Sequence, residues 1–317
     1  MDRRTFVFTA AAAGFSAVRS VDAGKGISVK NSFRLEVGHQ LPDPYCIHWQ
    51  GAWYLTGTHS TRRSSSGPVY DMYRSIDLRS WTHLGPILEF PNYEGSDRAN
   101  YWAPEILVHE DKFYLYYTAD SDGDPFRRYV RLAVAEKIEG PYRDQGIRMT
   151  GQPSIDANPN WTADGEGWMF FTGNEGNDHV GQILVDKLIA PGRPAGEPCK
   201  VFPEETVEWE EGAFLLPHAG RFFLFTSMGN WRDGSYHVLL SGSDSPQGPF
   251  TRFMDGEKPL VILSSHSDRL GPGHNSIFEG PDGVPWVCFH AWDKKHTGRY
   301  PFAAPLEFEG GRFHVEL

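Results

Sequence analysis

The chain has 317 residues, with 34 glycines, 23 prolines, 14% aromatic residues and a formal net charge of −11. So acidic a chain repels nucleic acid and anionic membrane surfaces, and no basic cluster argues otherwise, so neither is expected as a partner. No stretch carries a sustained helical stripe, and Cys46, Cys199 and Cys288 fit no zinc spacing, which leaves an all-β chain as the expectation.

Residues 1–23 read as a leader. Arg3 and Arg4 form a twin arginine, residues 6–13 are apolar but too few to span a bilayer, and Val21-Asp22-Ala23 offers the small residues a signal peptidase accepts. The expectation is an exported protein, periplasmic or extracellular, cleaved after Ala23, with one domain over residues 32–317.

Within that domain a turn marked by glycine or an acidic residue runs five times into an aromatic, mostly apolar strand. The copies begin at Trp53, Phe113, Trp168, Phe222 and Trp286, fifty to sixty-odd residues apart. A strand recurring at that interval is the signature of a blade-by-blade fold, so the chain is expected to form a five-bladed β-propeller around one central pocket. A β-sandwich also has many short strands, but nothing in it would repeat a multi-strand unit at this period. Behind the aromatic strands come a period-2 segment such as residues 69–75 and, in two copies, a Gly-Pro-aromatic turn ending on Tyr142 or Phe250. The Pro/Gly-rich residues 190–196 read as a long surface loop. Closure of such a ring would make Cys46 and Cys288 neighbours, either bridged or, as preferred, buried free thiols.

The segment ahead of each aromatic strand is where the innermost strand of a blade belongs, and each carries an ionisable residue at its mouth: Asp43, Glu105, Asp156, Glu211 and His274. Facing one axis, these would converge. Clustered carboxylates in an aromatic-rimmed pocket suit cleavage of a glycosidic bond, which needs one acid to protonate the leaving oxygen and one carboxylate to activate water or attack the anomeric carbon. A further carboxylate raises the acid's pKa by repulsion. Trp53 and Trp102 would offer flat faces to a sugar ring.

The ordered set Asp43-Pro44, Trp102-Ala103-Pro104-Glu105, Ile155-Asp156, Glu211-Gly212 and Gly271-Pro272-Gly273-His274, with Ser75-Ile76-Asp77-Leu78-Arg79-Ser80-Trp81, resembles glycoside hydrolase family 43 along nearly the whole mature chain. That resemblance implies an inverting hydrolase of α-L-arabinofuranosyl or β-D-xylosyl linkages in plant-type polysaccharides. Asp43 matches the general base, Glu211 the general acid and Asp156 the carboxylate that tunes the acid. Arg299 matches a substrate-binding arginine. His274 matches an axial residue that faces a calcium ion through water, an ion that would be structural, with no cofactor required. The chain departs from the family pattern at Ala157, Asn158 and Ala213, none of which removes a titratable group. Glu210 competes with Glu211 for the acid's role, since one residue's shift turns a side chain to the other face of a strand. A related propeller family with another sugar specificity, or a silent propeller that only binds polysaccharide, remains the alternative. Residues 58–68 and 174–179 would shape the pocket and its choice of sugar.

Overall fold

The computed structural model describes residues 32–58, 69–89, 100–121, 124–173, 181–205, 209–266 and 268–315. The leader expected at 1–23 and nearly all of the two rim segments lie outside the described residues.

The described chain contains strands and no helix, in five antiparallel sheets arranged as the blades of a propeller, with one short two-stranded hairpin besides. The innermost strands are Tyr45–Trp49, Trp102–His109, Ser154–Trp161, Glu210–His218 and Arg269–Glu279. Each pairs with an aromatic strand: Ala52–Thr56, Lys112–Ser121, Gly167–Gly173, Arg221–Met228 and Pro285–Asp293 respectively. The aromatic repeat is therefore the second strand of every blade. Its side chains alternate between the two faces of a sheet sandwiched between neighbouring blades, so both faces are apolar. Leu115, Phe170, Leu224, Phe225 and Phe289 are completely buried there, and burial of side chains this size stabilises by roughly 1.5–3 kcal/mol each.

The ring closes on the amino-terminal side. Phe33–Arg34 adds to the fifth blade by pairing with Arg299–Glu309, Phe33 opposite Ala303, so the last blade takes an edge strand from the start of the domain. Cys46 and Cys288 lie in the apolar cluster between blades one and five, and both are free thiols. Residues 190–196 differ from the expected loop. Arg193–Pro194 pairs back onto Gln182–Ala190, covering the outer edge of blade three. The Gly-Pro turns do anchor their blades, with Tyr142 and Phe250 both buried.

The five inner strands share one irregularity. In four blades the ladder slips by one residue at the pocket end: between Trp102 and Glu105, Ile155 and Asn158, Glu211 and Phe214, and Gly273 and Ser276. Blade one has the equivalent geometry, since Thr58 N–H donates to Pro42 O while Tyr45 faces Thr56. A slip of this kind is a β-bulge, which bends the strand and re-aims a side chain. In every bulge the residue after the slip lies in the left-handed region: Asp43 (φ 50°), Ala103 (41°), Asp156 (58°), Gly212 (58°) and His274 (46°).

Blade four holds a buried ion pair just behind the pocket. The Arg252 guanidinium donates to both oxygens of Glu210 at 2.7 Å, lies over the Phe202 ring at 3.6 Å, and reaches the half-exposed Glu205. Removing one partner of such a pair leaves an uncompensated buried charge. Arg252→Met is expected to cost about 3–5 kcal/mol in urea unfolding. Glu210→Gln combined with Arg252→Met should cost clearly less than Arg252→Met alone.

Candidate active site

The left-handed bulge residues gather three of the sequence-predicted groups at the axis. His274 Nδ1 lies 3.4 Å from Asp43 Oδ1 and 3.9 Å from Asp156 Oδ2. The Gly212 amide donates to the Asp156 carboxyl, and the space where a Gly212 Cβ would sit meets the His274 ring at 3.2 Å. Glu211 is thus placed beside Asp156 and His274. Its neighbour Glu210 points the other way, into Arg252, as alternation along a strand requires, so Glu211 alone of the two faces the pocket. Asp156, Glu211 and His274 are buried, whereas the Asp43 side chain keeps 12% of its surface.

Four of the five bulge amides are held by a side chain at the end of the second strand of the preceding blade. Ala103 N–H donates to Thr58 Oγ1 (2.7 Å), Asp156 N–H to Thr118 Oγ1 (3.1 Å), His274 N–H to Ser227 Oγ (2.8 Å) and Asp43 N–H to His290 Nδ1 (3.0 Å). Thr172 holds the matching place in blade three, but there the Asp156 carboxyl takes the Gly212 amide instead. Polar side chains from neighbouring blades thereby satisfy backbone groups that the bulges remove from the ladder. Thr58 also donates to Asp43 Oδ2 at 2.5 Å.

The environments of the carboxyls push their pKa values apart. Burial opposes ionisation of Asp43, but His274, Arg299 and the His290 contact outweigh it and hold Asp43 well below the usual carboxylate range. Arg299 Nη1 lies 3.5 Å from Asp43 Oδ1. His290 is driven down to about 4 by its own burial and by Arg299, so it stays neutral and offers Nδ1 as an acceptor. Asp156 is raised well above the ordinary range, first by burial and then by Glu211, Asp43 and Glu105. Glu211 is raised by burial, against the pull of His274 and of hydrogen bonds from Tyr236 and Trp209. Tyr236 Oη donates to Glu211 Oε1 at 2.7 Å, and Trp209 Nε1 to Oε2 at 2.5 Å. The pocket therefore holds one partly exposed carboxyl drawn toward its ionised form and one buried carboxyl pushed toward its protonated form, a pairing suited to general acid–base hydrolysis.

The other expected residues divide. Arg299 is at the site, its guanidinium 4.5 Å from the centre of the Trp231 ring. Trp102 stands at the pocket end of its strand, half-buried, but Arg128 lies over its ring at 4.2 Å, so that face is not free for a sugar. Trp53 is not in the pocket. It pairs with His48 near the hairpin at the far end of blade one, is buried, and donates its indole N–H to Glu279 O of blade five at 2.7 Å. The strand direction that puts Asp43 at the axis mouth carries Trp53 away from it, and it serves as a pin between blades. Glu105 is buried and accepts from Asn158 Nδ2 at 2.6 Å, while Asn158 Oδ1 accepts from Leu215 N–H at 2.9 Å, which ties blades two, three and four.

A calcium ion facing His274 would have to be held largely through water. Calcium takes six to eight oxygen ligands. The carboxylates nearest His274 are those engaged above, and beside it only the buried amide of Asn275 lacks a partner among the described residues. No group of three or more His, Cys, Asp or Glu side chains among the described residues is arranged to hold a metal.

Sequence reasoning missed His290, Tyr236, Trp209 and Trp231, and took Thr58 only as the first residue of a rim segment. Thr58 and His290 had a signal: aligning the repeats puts a polar residue at the pocket end of every second strand. The other three have no counterpart in the other copies and had none.

Comparison with known proteins gives the same picture. The model of the glycosyl hydrolases family 43 matches residues 37–313. A β-D-galactofuranosidase of Aspergillus niger is 29% identical over 81% of this chain and 75% of its own length. An extracellular endo-α-(1→5)-L-arabinanase of Thermotoga petrophila is 25% identical over 82% of this chain and 65% of its own. A thermostable family-43 glycoside hydrolase of known structure superposes with a TM-score of 0.74 at 24% identity, covering 88% of this chain and 93% of that one. No helix among the described residues is long and apolar enough to cross a membrane. The chain belongs to glycoside hydrolase family 43, and it is a glycosidase that hydrolyses O-glycosyl bonds.

Proposed function

We propose that this enzyme hydrolyses α-L-arabinofuranosyl linkages by a single displacement with inversion, Asp43 acting as general base and Glu211 as general acid. The observation that carries the reading is the opposed environment of these two carboxyls, one drawn toward ionisation by the adjacent His274 and Arg299 and the other pushed toward its protonated form by burial. A water on the free face of the sugar attacks the anomeric carbon and gives its proton to Asp43. The bond to the leaving oxygen breaks as Glu211 delivers its proton there. Two relatives support a furanose ring: one is named for β-D-galactofuranose and the other for an α-L-arabinan. These two sugars share their ring configuration and differ only in the chain on C4. β-D-Xylosyl linkages are the second reading, since the same acid–base pair would serve them. An extracellular relative and the twin-arginine leader support export, with the mature chain beginning near Gly24.

Asp156 has its own consequence. Its folded-state pKa is raised above the ordinary value of about 3.9. The folded state thus binds more protons than the unfolded one as pH rises from about 4 through the raised pKa, and stability falls over that window. Asp156→Asn removes the penalty. The variant should melt higher than wild type at pH 7, with the difference vanishing near pH 4, although activity drops. Equal melting temperatures at pH 7 would show that Asp156 is not a buried, repelled carboxyl.

The reaction itself is tested with a panel of aryl and natural arabinofuranosides, xylosides and galactofuranosides. Proton NMR of the first-formed sugar should show the inverted anomer. Asp43→Ala should lose on the order of 10²–10⁴-fold in kcat even with good leaving groups. Retention of configuration would overturn Asp43 as the base.

A further inference from the structure

The acid and the base are joined by a path through two side chains that neither expectation nor the reaction scheme uses. Tyr236, at the start of blade four's third strand, is buried and donates its hydroxyl to Glu211 Oε1 at 2.7 Å. Its ring lies nearly parallel to His290, with centroids 5.8 Å apart and planes 11° apart. His290, wholly buried, accepts the Asp43 amide and lies 3.3 Å from Asp43 Oδ1. The far side of the tyrosine is set by the Gly271-Pro272-Gly273-His274 segment. A Cβ on Gly273 would overlap the Tyr236 ring, and one on Gly271 would overlap Asp233 O and crowd Tyr236 Cβ. Gly273 has no left-handed φ to demand glycine, so the space for this ring is the reason for a glycine there.

We propose that Tyr236 is a positioning residue for the general acid: seated between Gly273 and His290, it holds Glu211 at a fixed distance and direction from Asp43, with Trp209 as the second anchor on the same carboxyl. The inference rests on Glu211 being the acid and Asp43 the base. A carboxyl gripped at both oxygens, one by Tyr236 and one by Trp209, cannot swing toward Asp156 or the Gly212 backbone, so its proton stays aimed at the leaving oxygen. Tyr236 contacts Glu211 and stacks on the imidazole of His290, so it acts through the acid. In this scheme the first glycine pair of the motif serves the acid, whereas the histidine that ends it serves both carboxylates.

The experiment is a leaving-group series on the mature enzyme, using the sugar that the wild type cleaves fastest. An acid held out of place harms substrates that need protonation and spares those that do not. Tyr236→Phe keeps the ring and its stack on His290 but removes the hydroxyl. It should lower kcat on the natural linkage by roughly ten- to a hundredfold and on the dinitrophenyl glycoside by less than about threefold, with KM little changed. Trp209→Phe, at a half-buried site, should show the same slope and gives the reading even where Tyr236→Phe folds poorly. Gly273→Ala should reproduce it by displacing the ring, and adding Tyr236→Phe to Gly273→Ala should cost little more, because both act on one contact. Equal losses on all leaving groups would overturn the proposal and leave Tyr236 a packing residue. Glu211→Ala run alongside separates the two levels of the argument. If it shows no leaving-group dependence, the assignment of the acid falls; if it does and Tyr236→Phe does not, only the role of Tyr236 falls.

Discussion

The constraint on which the site depends is the left-handed bulge at the mouth of every inner strand. An ordinary strand cannot bring residues from five blades onto one axis, because its side chains alternate toward the two neighbouring blades instead. The extra residue and the positive φ re-aim the chain for one step. Asp43, Ala103, Asp156 and His274 all adopt this conformation without being glycine, each at a cost on the order of 1 kcal/mol or more. That strain persists because the residue's own amide in each case is fixed by a neighbouring blade, through Thr58, Thr118, Ser227 or His290. Closure of the ring and construction of the pocket are therefore the same set of hydrogen bonds. A change that loosens the interface between two blades should be felt at the carboxyl of the second.

Electrostatics then assigns the work. Burial alone would raise all three carboxyls. Asp43 escapes because His274 and Arg299 stand beside it, whereas Glu211 and Asp156 are both raised by burial and Asp156 also by the charge of Glu211. Keeping two such acids together lowers stability near neutral pH, a conflict between stability and activity of the kind active sites commonly hold. The adjacent Glu210–Arg252 pair shows the contrast: a carboxylate one residue away, fully paired on the opposite face, with nothing left over for chemistry.

Much of this was legible in the chain. The aromatic second strand repeats because both of its faces are buried, so blade number and order could be counted. The ionisable residues were readable because Asp43, Asp156 and His274 stand at the same place in their repeats and Glu211 stands one residue before it. Trp53 was misplaced for a physical reason: a hairpin reverses direction, so an aromatic close in sequence to Asp43 ends at the opposite end of the blade. Residues 193–194 were read as loop because the pattern is too short to show a strand that exists only by covering an edge. Tyr236 and Trp231 were invisible because their partners lie in other strands or other blades, as with Tyr236 and the glycine whose missing side chain makes room for it. A deletion of volume leaves no mark in a single sequence.

The central claim is that one pocket holds a carboxylate and a carboxylic acid apart in pKa by burial and by the placement of Arg299 and His274. Carbon-13 NMR titration of the aspartate and glutamate carboxyls in the mature enzyme, assigned with Asp43→Asn, Asp156→Asn and Glu211→Gln, measures this directly. Asp43 should remain ionised down to the lowest pH at which the fold survives, while the Asp156 and Glu211 resonances should move only above the ordinary carboxylate range. Titration of Asp43 near pH 4, in step with the other two, would contradict the account.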